Sequence, residues 1–163
     1  MEVLKIIVMC VIAAILYGIV HDLVTTRVCL EYFTIFHPPI FNHTHSPTLL
    51  ALGWGVLATW WAGLFIGIAL ALAARVGNLP TLSATDLLPW VRILLFGMAT
   101  SALLAGVTGF CWGIRAFQAG EAVLPPNFYA DLWAHSASYA SGFVGGLAAC
   151  VWAYRRRRLI VLL

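Results

Sequence analysis

The sequence predicts an all-α integral membrane protein, a four-transmembrane-helix antiparallel bundle. Both termini are expected in the cytoplasm, with a structured extracytoplasmic loop over residues 21–47. Three observations predict it. Of the 163 residues, 63% are hydrophobic and 9% charged, against roughly 45–50% and about 25% in soluble domains. Four apolar stretches each come near the roughly 20 residues that cross a bilayer. The lysines and arginines divide seven against two between the sides these stretches define, which puts the richer side in the cytoplasm. No long polar insertion interrupts the pattern, so residues 1–163 read as one domain.

The first stretch covers about residues 3–20. Lys5 before an apolar run has the form of a secretion signal, but Tyr17-Gly18-Ile19-Val20 passes into His21-Asp22 with no small-x-small cleavage site. It therefore reads as a retained anchor. The second, about 48–74, carries no charge, and Ser46-Pro47 supplies an N-cap and a proline at the first helical position. The third covers about 89–114, with Arg92 near its start. The fourth covers about 132–154 and ends in Arg155 to Arg158. That run of four arginines outweighs the whole +3 net charge; beside an apolar span it marks a cytoplasmic end touching anionic headgroups and gives no argument for nucleic acid. The expected setting is a bacterial inner membrane.

Lipid offers helices no hydrophobic reason to associate, so small residues must let backbones approach. Stripes at four-residue spacing occur in three stretches: Gly55, Thr59, Gly63, Gly67 and Ala71; Gly97, Ser101, Ala105, Gly109 and Gly113; Ala134, Ser138, Gly142 and Gly146. They read as bundle packing. A second small-residue face on the fourth stretch leaves room for a homo-oligomer or a larger membrane complex. The first stretch has only Ala13, Ala14 and Gly18, which predicts a peripheral place. Trp60 and Trp61 fall mid-span and read as packing filler. Trp90 and Trp152 fit the inner interfacial belt, and Tyr17, Trp112 and Trp133 the outer one.

The loop after the first stretch is ambiguous at its start. Arg27 and Glu31 suit an i,i+4 helical pair, whereas Val24-Thr25-Thr26 and the alternation of Val28, Leu30 and Tyr32 suit an extended strand. Its aromatic content, Tyr32, Phe33, Phe36 and Phe41, predicts that it covers the bundle mouth. Asn42-His43-Thr44 fits a glycosylation sequon, but a loop this close to the bilayer is a poor acceptor. Cys29 and Cys111 both fall on the outer side, where an oxidising exterior would join them. Cys10 and Cys150 read as packing residues.

All five histidines fall on the outer side, with four of the six carboxylates. Groups this polar are costly in hydrocarbon unless paired, so their gathering points to a site. Asp131 and His135 are one helical turn apart and share a face, where the carboxylate could orient the imidazole or join it on one ion. His21 and Asp22 mark the same end of the first stretch. His43-Thr44-His45 places two imidazoles on one side of an extended backbone, with His37 upstream. His21, His37, His43, His45 and His135 are thus candidate ligands, and nitrogen with some oxygen suits a divalent metal, zinc first. A metal with an open position activates water for hydrolysis, with Glu31 or Asp22 as base; Asp131 with His135 is the metal-free proton-transfer alternative. A haem between His21 and His135 is a further option.

Two other functions fit the same architecture. One is a non-catalytic subunit or assembly factor packing beside a larger complex. The other is a proton or metal-ion transport component, which is weaker because the mid-span positions lack ionisable side chains. No motif matches a family closely enough to name one.

Overall fold

Each apolar stretch becomes helix, and each helix runs past the limits that its hydrophobicity marks. The computed structural model describes residues 1–41 and 43–162, so Asn42 of the sequon lies outside the described residues. The described chain is all-helical: α1 Glu2–Val28, α2 Pro47–Leu57, α3 Trp60–Arg75, α4 Ala84–Gln118 and α5 Pro126–Ile160. A π-helical turn, Tyr32–Phe36, and a 3-10 turn, Pro39–Phe41, lie between α1 and α2. Three units are long and apolar enough to cross a membrane: α1, the α2–α3 pair taken together (Pro47–Arg75), and α4. α5 matches α4 at 35 residues, but carries Asp131, His135 and the arginine run.

Residues 24–26 settle as helix, because Thr25 and Thr26 return their hydroxyls to the carbonyls of His21 and Asp22 at 3.1 and 2.6 Å. A threonine bonded this way can be buried. Arg27 does not pair with Glu31; it donates to Leu23 O and to Thr48 Oγ1. Ser46 caps α2 by accepting from Leu49 N, with Pro47 following, as expected. Ser83 and Asp86 form a capping box that starts α4 five residues before Pro89. Both features supply partners for amide groups that a helix start leaves unpaired.

The second stretch is broken in its middle, at Ala58-Thr59, into α2 and α3. Thr59 Oγ1 donates to Gly55 O, a back-bond that bends helices. The freed Ala58 carbonyl accepts from Tyr139 Oη of α5 at 3.1 Å. Irregular backbone inside a membrane is tolerated where it meets protein or lines a cavity, and both residues line one here.

Two antiparallel hairpins make up the molecule, α1 with α2–α3 and α4 with α5. Glycines set the spacing. A methyl added at Gly55 would lie 2.6 Å from the Ile19 backbone, one at Gly63 2.7 Å from Cys10 O, and one at Gly113 2.9 Å from Pro126 Cα. Gly97, by contrast, meets nothing within 4 Å and is no packing position. Asn127 Nδ2 donates to Val28 O and Ala84 N to Glu2 Oε2, tying the hairpins at either end.

The expectation of a peripheral α1 is overturned, since α1 runs along the whole α2–α3 unit and also touches α4 and α5. The glycine stripe of α2–α3 needs a close partner, and that partner need not be small: it is the backbone of Ile7, Cys10, Val11 and Ile19. The Cys29–Cys111 bridge is also absent. Cys29 is buried beneath the loop, Cys111 is exposed on α4, and both are free.

Two buried clusters bracket the bundle. One end holds Ile6, Leu70, Ala74, Leu87, Val91 and Ala153 with their neighbours. The other holds Cys29, Tyr32, Phe33, Leu50, Trp54 and Phe128, so the aromatic loop does cover the mouth. Trp90 pairs with Trp152 at the first end, and Trp112 with Trp133 at the second. Tyr17 departs from its expected interfacial place. It lines the interior, its hydroxyl 2.8 Å from Ser138 Oγ.

Candidate functional site

α1 and α5 bring their polar faces together beneath the loop. His21 and Asp22 come from the last two turns of α1, and His135 from the third turn of α5. One potential ligand atom from each lies within 4.8 Å of the other two. The pairs that the sequence marks on separate stretches therefore meet.

The hydrogen bonds around His135 define its chemistry. Its Nδ1 lies 2.8 Å from the Asp131 main-chain carbonyl, which can only accept, so Nδ1 carries the proton. A neutral imidazole then presents the Nε2 lone pair to Asp22 Oδ1 at 3.3 Å. Two acceptors facing each other require a shared proton or a cation between them. His21 stands edge-on to His135 with ring centroids 4.5 Å apart, and its buried Nε2 has no partner. Asp22 is 5% exposed and His135 8%. Such groups are costly when left unsatisfied. Rings this close leave no room for a macrocycle, which removes the haem option.

A shell of hydroxyls and rings surrounds the three. Tyr17 stacks on His21, and Tyr32 lies over His135 with ring centroids 4.7 Å apart. His37 Nδ1 donates to Tyr32 O at 2.9 Å, and its ring stands edge-on to Trp54 and 6.5 Å from that of His135. Below the group opens a cavity of about 140 Å³. His21, Asp22, His37 and His135, with Tyr17, Tyr32, Ser138 and Tyr139, form its polar head; Ile66, Leu70, Leu94, Met98 and Ala149 are among its apolar walls.

The other sequence candidates lie elsewhere. The Asp131 carboxylate is buried with Oδ2 unpartnered, but it is its main chain that holds His135. Glu31 is exposed and accepts weakly from Cys29 Sγ at 3.5 Å. His43 and His45 are exposed on the loop, His43 beside Phe41 and His45 at a small pocket with Phe33, Thr34 and Pro38. Among the described residues, the group of ligand-type side chains is His21, Asp22 and His135. Tyr17 and Tyr139 escaped the sequence reading as site residues. A signal existed, since each lies four residues from a site histidine and so shares its helical face.

Burial also sets the loop groups. It pushes the Cys29 thiol up to about 11, keeping it protonated and unfit as a thiolate ligand. Burial holds His37 below its ordinary value of 6.5, against an opposing pull from its bond to the Tyr32 carbonyl. The unfolded chain then binds the proton that the folded loop refuses. The stabilisation is complete above pH 6.5 and is lost as pH falls from there toward the lower folded value. Amide protection over Tyr32–Phe41, measured relative to the intrinsic exchange rate at each pH, should fall between pH 7 and 5, by up to about tenfold for each unit of depression. His37→Gln should flatten that fall, and protection that is unchanged or greater at pH 5 would contradict it.

Comparison with protein-family models, with curated proteins and with solved structures gives no match in any of the three.

Proposed function

We propose that the chain is a four-crossing membrane protein that holds a divalent metal, zinc first, between α1 and α5. The ligands are His21 Nε2, Asp22 Oδ1 and His135 Nε2, and the protein acts as a metal-dependent hydrolase. One observation carries the reading: His135 Nε2 and the Asp22 carboxylate lie 3.3 Å apart beside an unpartnered, buried His21 nitrogen. A cation satisfies all three at once. Two imidazoles and a carboxylate suit zinc, and three protein ligands leave a fourth position for water or substrate. Zinc lowers the pKa of bound water to about 7, which supplies a nucleophile at neutral pH. The Asp131 carbonyl on His135 Nδ1 is the outer-shell bond that fixes the tautomer a ligand needs.

With the arginine-rich ends inside, the site faces the extracytoplasmic side under the loop. Elemental analysis of detergent-purified protein should find about one zinc per chain. Protein that stays metal-free after purification in zinc-containing buffer would contradict the proposal, and Asp22 and His135 would then be a proton-sharing core pair.

A further inference from the structure

The cavity beneath the His/Asp group has the shape and polarity of a slot for one alkyl chain. It reaches along α1 from His21 to Cys10, about 16 Å at the helical rise. Its volume is about 140 Å³. Ala13, Ala14, Ala62, Gly63 and Gly142 keep its walls low. The polar groups sit at one end only.

The slot also meets the outside of the bundle. Phe143 lines the cavity and is 43% exposed, and Trp61 beside it is 36% exposed with ring centroids 6.3 Å apart. Trp61 also stacks on Tyr139, which lines the cavity head. Phe143 is thus the exposed part of the cavity wall, at the α3–α5 seam, on a face whose neighbours in a membrane are acyl chains.

We infer that the ligand is a single-chain acyl amphiphile, a fatty acid or its ester or amide, drawn in sideways from the bilayer. Its tail lies in the slot, and its carboxyl or carbonyl oxygen reaches the fourth position of the metal. In the ester or amide case, water adds across the acyl bond, giving the fatty acid and the alcohol or amine. The head-group assignment rests on the metal reading; the tail assignment rests on the cavity alone.

Holoprotein in phosphatidylcholine nanodiscs is photolabelled with a palmitic acid carrying a mid-chain diazirine, and zinc is measured in the same samples. The expected label falls on cavity residues such as Ile66 and Met98 and is competed away by excess palmitate. Ala62→Phe, and separately Met98→Phe, should fill the slot and cut that label at least about fivefold with zinc content unchanged. Label confined to outward residues such as Leu16, Phe96 and Leu103, which are exposed, or label indifferent to both variants, would overturn the slot and leave the metal reading standing. Zinc absent from a preparation whose cavity is labelled would overturn the head-group assignment alone.

Discussion

His135→Ala should release the metal while His43→Ala/His45→Ala keeps it. Removing His135 takes away the proposed ligand that stands between Asp22 and the α5 backbone, with Asp22 Oδ1 at 3.3 Å on one side and Asp131 O at 2.8 Å on the other. Loss of an outer-shell partner alone lowers metal affinity about 10–100-fold; loss of one of three direct ligands should exceed that. His21→Ala should behave alike, because its Nε2 has no other partner. The loop pair should be silent, since both rings are exposed and outside the group. Competition against a chromophoric chelator reads all four proteins. Equal affinity in His135→Ala and wild type would sink the assignment.

Arg157→Ala should be among the most destabilising substitutions in the chain. Arg157 is 1% exposed, yet it is a cation, three residues from the end of α5. Its Nε donates to Pro80 O at 2.7 Å, Nη1 to Ala73 O at 2.6 Å, and Nη2 to Val76 O and Leu79 O at 2.9 and 3.0 Å. The guanidinium thus closes the carbonyl end of α3, where the helix dipole favours positive charge. It also pins the turn that Gly77, at φ +88, makes possible. Truncation strands four carbonyls and should cost about 3 kcal/mol or more. Lysine keeps the charge but not the planar fork and should recover part of the loss. Arg158→Ala, on an exposed position, should stay within about 0.5 kcal/mol. Unfolding titrations in SDS give the comparison, and equal midpoints for the two alanine variants would refute this role.

The same arginine shows what a sequence can and cannot carry. Arg155 to Arg158 look alike as a cytoplasmic marker, and three of the four are exposed in that way. Arg157 differs because it continues the buried α5 face of Gly142, Gly146, Ala149 and Ala153, a helical period that was readable. What it bonds was not readable, since the α3 end and the turn after it come from far away in the chain. The apolar stretches were legible because bilayer thickness constrains length and composition together. The break at Ala58-Thr59 was not, as no proline marks it and the cause is a threonine hydroxyl returning to Gly55.

For the site, burial decided what spacing could not. His21, Asp22 and His135 lie near the ends of long helices whose packing brings them together, and their shared side was visible from topology. The His43-Thr44-His45 spacing describes only local backbone, and the loop holds both rings outward. His37 reaches the cavity head because the π-helical turn folds Tyr32 and Phe33 inward, a fold that aromatic content foreshadowed without fixing its register.

X-ray absorption at the zinc edge tests the shared centre most directly. The proposed centre should show two imidazole nitrogens at about 2.0–2.1 Å with oxygen completing the shell, and that signal should be lost in the His21→Ala/His135→Ala double variant. A sulfur ligand, or a spectrum that the double variant leaves unchanged, would contradict it.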